Sequence, residues 1–362
     1  MINKKKLGAF VLAGTMLLSM GTTAFAAGEP TAPDVNQKGQ VPITKEFEMA
    51  DGLKTPAATF KFTATSTTEG APTATIGDVS FTEEQPGTLK GEKYVLEGTT
   101  AISFQGIWPH VGEYVYTVTE TQDPANKVEN VTYDSSEYTL RVYVVNKNDN
   151  LEVEKITAEK AGTKTAKILF KNTYAKKDAT LIIEKNTTGT YANKTQQFDF
   201  TIVFTKSPTE STLGEFNGTI TRKGNNTPEP VTTNNGSYNF KLADGDKLQF
   251  TDLPVGTTYV VKELAAKDGY TPSVTVIEND TTTVRDRTAV QEAEALDTFK
   301  QDGTKNLVGE HENRVTFTNT HQGGVVPTGI LMNNLPFILL VAVAIVAFVS
   351  LAVIKRRRTS GK

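Results

Sequence analysis

Three short alternating motifs occur twice in this chain at matched intervals, and that duplication limits the fold more than any other feature. Phe60-Lys61-Phe62-Thr63 returns as Phe198-Asp199-Phe200-Thr201, Tyr116-x-Val118-x-Glu120 as Tyr259-x-Val261-x-Glu263, and Ile168-x-Phe170-x-Asn172-Thr173 as Val315-x-Phe317-x-Asn319-Thr320. A repeat of this length implies two copies of one structural unit. The first copy ends near Tyr174 and the stretch 175–179 is short and polar, so two tandem domains are expected, 41–174 and 180–321, with 175–179 between them.

The motifs themselves alternate with period two, the signature of half-buried strands. Tyr138, Leu140, Val142 and Val144 fall on one face against Thr139, Arg141 and Tyr143 on the other. Asn146 to Asn150 is turn chemistry, so Glu137–Val145 and Leu151–Ala158 read as a hairpin. From Val41 onward the chain is rich in Thr, Val and Tyr and has no amphipathic helical stretch of useful length. The expected class is all-β, built as two tandem sandwiches.

Each copy carries a lysine early, a glutamate in the middle and an asparagine in its last strand: Lys45, Glu120 and Asn172, then Lys185, Glu263 and Asn319. Parity says where they point. Ile168, Phe170 and Asn172 share a face, as do Val315, Phe317 and Asn319, and that face holds the aromatic ring. Tyr116, Val118 and Glu120 share parity, as do Tyr259, Val261 and Glu263, and Leu181, Ile183 and Lys185. An amine, an acid and an amide therefore face an apolar interior. Left as a charge pair, such a group is expensive to bury. Burial lowers the amine's pKa and raises the acid's, so a neutral lysine beside a protonated acid becomes accessible. That amine is a nucleophile and that acid can polarise the amide and relay protons, giving a Lys-Asn isopeptide bond with loss of ammonia. The bland alternative, lysines reaching solvent at strand ends beside ordinary edge carboxylates, does not account for matched facing in two copies.

Both ends of the chain carry export features. Lys4, Lys5 and Lys6 precede an apolar stretch from Leu7 to Met20, and Ala24-Phe25-Ala26 is a small-x-small cleavage pattern, so 1–26 reads as a signal peptide and 27–40 as a leader. At the other end an apolar run, Leu335 to Ile354, is long enough to span a bilayer. Lys355, Arg356, Arg357 and Arg358 follow it, which keeps 355–362 cytoplasmic and the rest outside. Before the run, in the spacer 322–334, stands Val325-Val326-Pro327-Thr328-Gly329. Pro327 fixes its own φ and biases Val326 to an extended shape, and Gly329 leaves the Thr328 carbonyl unshielded.

That pentapeptide resembles the sorting signal of Gram-positive surface proteins, in the Val-Pro-Thr-Gly form seen in backbone pilins, with Val325 where leucine is usual. With the Tyr-x-Val-x-Glu segments, Tyr143-Val144-Val145-Asn146, Leu169-Phe170-Lys171-Asn172 and Lys267-Asp268-Gly269-Tyr270, the mature chain from Val41 to Gly329 is similar to the backbone pilins of the streptococcal T-antigen type. The resemblance implies two Ig-like domains, each with one self-made bond: Lys45 to Asn172 with Glu120 catalysing, and Lys185 to Asn319 with Glu263 catalysing. It implies a sortase that cleaves Thr328-Gly329 and joins Thr328 to an exposed lysine of the next subunit, with Lys164 and Lys167 as acceptor candidates and Lys160 behind them. Lys164 is expected to lie outside the alternating strand. The implied partners are identical subunits in a covalent head-to-tail polymer, a pilus sortase, ancillary pilins and peptidoglycan. The implied location is a surface pilus anchored to the cell wall, reached through a membrane-held precursor. The competing reading is a monomeric wall-anchored adhesin, or an ancillary pilin, that binds a host ligand.

Other classes find little support. The chain has no cysteine, which excludes disulfides, thiol nucleophiles and zinc-thiolate sites. A net charge of −3 argues against nucleic acid. His110, His311 and His321 lack metal-ligand spacing, no nucleophile elbow or phosphate loop is present, and Trp108 beside Pro109 reads as a core or corner residue. No metal, cofactor or enzymatic turnover on a substrate is expected.

Overall fold

The computed structural model describes residues 40–121, 127–225, 227–264, 269–285 and 295–321. The signal peptide, the leader up to residue 39, the sorting pentapeptide, the apolar run and the basic tail lie outside these residues. All regular secondary structure among the described residues is strand.

The first half contains β1 (Val41–Met49), β2 (Ala58–Ser66), β3 (Thr73–Ile76), β4 (Val79–Phe81), β5 (Thr88–Lys90), β6 (Lys93–Gln105), β7 (Gly112–Thr121), β8 (Val131–Thr132), β9 (Glu137–Lys147), β10 (Asn150–Lys160), β11 (Thr163–Thr165) and β12 (Ile168–Tyr174). One sheet runs β3-β6-β1-β12-β8, with β5 also on β6, and the other runs β11-β10-β9-β7-β2-β4. The second half contains β13 (Ala179–Thr188), β14 (Phe198–Thr205), β15 (Asn217–Thr221), β16 (Glu229–Thr232), β17 (Ser237–Leu242), β18 (Lys247–Leu253), β19 (Thr258–Glu263), β20 (Thr271–Glu278), β21 (Thr281–Arg285), β22 (Leu296–Asp297), β23 (Asn306–Leu307) and β24 (Asn313–Thr320). Its sheets run β16-β15-β18-β13-β24-β20-β21 and β17-β14-β19-β22, with β23 also on β19.

The two halves share a frame. In each, the first and last strands pair in parallel, β1 with β12 and β13 with β24, and the glutamate strand pairs antiparallel with the Phe-x-Phe strand of the facing sheet. Parallel neighbours cannot be joined by a tight turn, so the whole of each domain is looped out between them. Each half packs its own apolar core, one from Val41 to Tyr174 and one from Ala179 to Phe317, with Leu53 touching both. Across the junction, Glu310 accepts from Lys176 Nζ at 2.6 Å and from the Lys54 N–H at 3.2 Å.

The hairpin expected around Asn146–Asn150 forms with a tighter turn. Strand pairing continues through Lys147 and Asn150, and Asn148 and Asp149 both take positive φ, the twist that two-residue hairpins favour. Trp108 packs against Phe104 and Tyr114 at the edge of the first core.

Candidate functional site

The alternation of β1 turns Val41, Ile43, Lys45, Phe47 and Met49 inward, so Lys45 sits in the sandwich interior as a matter of parity. The same rule places Glu120 on β7 and Asn172 on β12, and in the second domain Lys185 on β13, Glu263 on β19 and Asn319 on β24. Both lysines and both asparagines are fully buried, and the two glutamates nearly so. Parallel pairing brings the lysine and asparagine strands side by side: Lys45 lies opposite Phe170 and Lys185 opposite Phe317, each two residues before the asparagine. The glutamate reaches across from the facing sheet.

The resulting contacts are closely matched. Glu120 Oε2 lies 2.6 Å from Lys45 Nζ, and Asn172 Nδ2 donates to Glu120 Oε1 at 2.5 Å. In the second domain Lys185 Nζ lies 3.3 Å from both oxygens of Glu263, and Asn319 Nδ2 donates to Glu263 Oε1 at 2.5 Å. Each carboxyl group thus bridges the amine and the amide. Phe60 covers Lys45 Nζ at 4.4 Å from the ring centre, and Phe198 covers Lys185 Nζ at 4.3 Å. Burial pulls both lysines down from 10.5 to about 8, against the opposing attraction of their glutamates. The same loss of water pushes Glu120 and Glu263 up. A wet charge pair would show the opposite shifts, so desolvation is the dominant effect here.

The sites differ on the oxygen side of the amide. Asn172 Oδ1 accepts the backbone N–H of Asp134 at 2.7 Å. Asn319 Oδ1 is buried and meets no hydrogen-bond donor among the described residues.

Sequence reasoning located the six triad residues but missed three others in contact with them. Phe60 and Phe198 head the repeated Phe-x-Phe-Thr motif, and that recurrence was the available signal. Asp134 acts through its backbone N–H, which leaves no mark in residue type.

The acceptor candidates lie on the outside of the first domain. Lys164 is exposed but belongs to β11, opposite Glu159, and does not sit outside the strands as expected. The turn at Ala161-Gly162, both with positive φ, folds the chain back onto β10 and carries Lys164 into pairing. Lys167 is exposed between β11 and β12, with its N–H on Thr165 Oγ1. Lys160 lies over the Tyr138 ring at 5.2 Å. Val325, Val326, Pro327, Thr328 and Gly329 are outside the described residues. No cluster of metal-ligating side chains occurs among the described residues.

Residues 41–175 match the family described as the Spy0128-like isopeptide containing domain, and residues 179–321 match a domain family of unknown function, DUF7601. The chain is 31% identical over 238 residues to a pilin of Streptococcus pyogenes serotype M1, an alignment covering 65% of each protein. Over that stretch the chain is similar to a pilin, and its first domain matches the Spy0128-like family. It spans about 65% of the length of that pilin. Among solved structures, it is similar to the major pilin of Streptococcus pyogenes at 22% identity and a TM-score of 0.36, covering 78% of this chain and 98% of that one. The major pilin T3.2 of the same species is similar at 24% identity and a TM-score of 0.32, covering 79% and 98%. The Spy0128-like domain contains the first triad entire, and the second triad falls wholly within the other matched region.

Proposed function

We propose that this pilin relative is the structural backbone subunit of a sortase-assembled, wall-anchored pilus, and that each domain closes one Lys-Asn isopeptide bond on itself. The observation that carries the reading is the pair of buried triads, each with a carboxyl group bridging an amine and an amide. The proton shared by lysine and glutamate moves to the carboxylate, leaving a neutral amine. Lysine Nζ then attacks asparagine Cγ, and the carbonyl π pair moves to Oδ1. The glutamic acid gives its proton to Nδ2, which departs as ammonia when the oxygen pair returns, and the carboxylate takes the extra proton from Nζ. The products are a neutral secondary amide, a protonated glutamic acid and ammonia, all uncharged and suited to a dry interior. This is a single event in the life of the chain and turns over no substrate.

Polymerisation follows from the two ends of the chain. The sortase cleaves Thr328-Gly329 and passes the Thr328 acyl group to a lysine of another copy, with Lys164 and Lys167, both exposed, as the acceptor candidates. The terminal subunit is passed to peptidoglycan, and ancillary pilins join by the same chemistry. Intact mass spectrometry of the folded ectodomain tests the internal bonds, the expected result being a deficit of two ammonia molecules; the unmodified polypeptide mass would refute them. Wall extracts on denaturing gels test the polymer. A ladder lost in Lys164→Arg supports that lysine, loss only in Lys167→Arg moves the assignment, and a single band from the wild type removes the backbone role in favour of a monomeric adhesin.

A further inference from the structure

Attack on an asparagine amide places negative charge on its oxygen, and whatever faces that oxygen decides how costly the charge is. In the first domain a donor is already there. The Asp134 N–H points at Asn172 Oδ1 at 2.7 Å, on the opposite end of the amide from the Glu120 contact. The amide is therefore held at both ends, with its nitrogen on the acid and its oxygen on a backbone donor.

The donor is aimed by its own side chain. Asp134 Oδ1 accepts the Ser136 N–H and Oδ2 accepts the Lys171 N–H, both at 2.7 Å. One contact closes the local turn. The other ties that turn to β12 at the residue next to Asn172. A carboxylate spanning two backbone donors leaves the 134 peptide little freedom, so its N–H costs no reorganisation when charge develops. The local topology makes this available: β8 pairs with β12 only at Val131 and Thr132, and the chain then leaves the ladder.

The second domain is built differently at this point. Strand β20 stays paired with β24 from Thr271 through Ile277, so Ser273, the register counterpart of Asp134, remains in the ladder opposite Thr318, where the first domain's chain has already left it. Among the described residues Asn319 Oδ1 is left buried without a donor.

We propose that the Asp134 backbone amide is the oxyanion donor of the first isopeptide reaction, with the Asp134 carboxylate positioning it, and that the second domain reacts without such a donor. The proposal rests on the reading that both triads condense. When Nζ of Lys45 attacks, the electron pair arriving on Asn172 Oδ1 is stabilised by this N–H, and it returns to the carbon as ammonia leaves. The bond between Lys45 and Asn172 consequently forms faster than the bond between Lys185 and Asn319.

The test uses full ectodomain recovered denatured and unreacted, refolded by dilution, quenched in acid at intervals and digested. The two cross-linked peptides are quantified separately by mass spectrometry, so the second site serves as an internal control. In the wild type the 45–172 peptide is expected to appear before the 185–319 peptide. Asp134→Pro removes the N–H and should slow the first bond about a hundredfold, the usual effect of deleting one such donor, while the second bond keeps its rate. Asp134→Ala keeps the N–H but frees it, and a smaller slowing of about tenfold is expected. If Asp134→Pro does not fold, replacing residue 134 by the corresponding α-hydroxy acid makes the backbone an ester and deletes the N–H alone. A wild-type rate at the first site in that ester, or in a folded Asp134→Pro chain, overturns the proposal. So does an Asp134→Ala chain slowed as much as one lacking the N–H. Absence of both cross-linked peptides in the wild type would instead sink the underlying reading of the triads.

Discussion

The two domain interiors carry the same three side chains on the same three strands, yet they hold the lysine differently. Lys45 lies close to one oxygen of Glu120, at 2.6 Å, whereas Lys185 stands 3.3 Å from both oxygens of Glu263. The asparagine contact is 2.5 Å in both. The shared geometry is what the chemistry needs, an acid on the amide nitrogen. The variable geometry is what the surrounding fold supplies. Neither pair is stabilising as a charge pair, because dry burial of an ammonium and a carboxylate costs more than their attraction returns unless every remaining group is satisfied. The proposed condensation would give each site a route out of that cost, since it removes both charges.

The most severe way to break the comparison is to remove one acid at a time. Glu120→Ala should abolish the first bond and leave the second, and Glu263→Ala the reverse, each giving a deficit of one ammonia in place of two by intact mass. General acid–base groups contribute roughly a hundredfold to ten-thousandfold, so no slow residual product is expected on a purification timescale. Loss of both bonds from either substitution would show that the domains do not react independently.

Next in size is the stability carried by each bond. Asn172→Ala and Asn319→Ala would each prevent a proposed cross-link closing a loop of about 130 residues, worth about 4–5 kcal/mol by chain entropy. Because the loops are nearly equal in length, calorimetry should show similar losses for the two domains. A markedly larger loss in one would place the difference in the packing around the triad and not in the tether.

The uncross-linked Asn172→Ala chain also exposes the buried amine to titration. Lys45 is held at about 8 when folded against 10.5 ordinarily. Between those values the unfolded chain binds the proton and the folded one does not, so stability should rise as pH goes from 8 to 10.5. The carboxyl of Glu120 is shifted upward, so its contribution runs the other way, and stability falls as pH rises from 4.5 through the raised value. Denaturant melts across pH would show a minimum between the two limbs. A wild-type chain in which Lys45 is bonded to Asn172 as proposed should lack the alkaline rise.

The smallest contrast concerns the rings. Phe60 touches Phe47, Phe81 and Tyr133 as well as Lys45, whereas among the described residues Phe198 has one ring partner, Tyr270. Phe60→Leu should cost the first domain about 1 kcal/mol more than Phe198→Leu costs the second, as read by thermal unfolding.

Parity made the triads legible because a strand's two-residue period assigns each side chain to a face without knowledge of its neighbours. Lys45, Glu120 and Asn172 each carry a chemical type that is conspicuous on an apolar face, and the second copy repeats it. What parity does not encode is which strand lies beside which. The parallel pairing of β1 with β12, the inclusion of Lys164 in β11, and the contrast between β8 and β20 are matters of register and connection. Asp134 is the clearest case, since its contact with Asn172 is made by a main-chain atom presented where a strand ends early.

The side-by-side, same-direction placement of β1 and β12 has a mechanical consequence. A pull entering at Val41 and leaving at Tyr174 draws these neighbours lengthwise past each other, so the rungs of their ladder must fail together and not one by one as in an unzipping hairpin. The second domain meets the same load through β13 and β24. Traction along the chain therefore meets its stiffest resistance in the two strand pairs that also carry the lysine and asparagine of each triad.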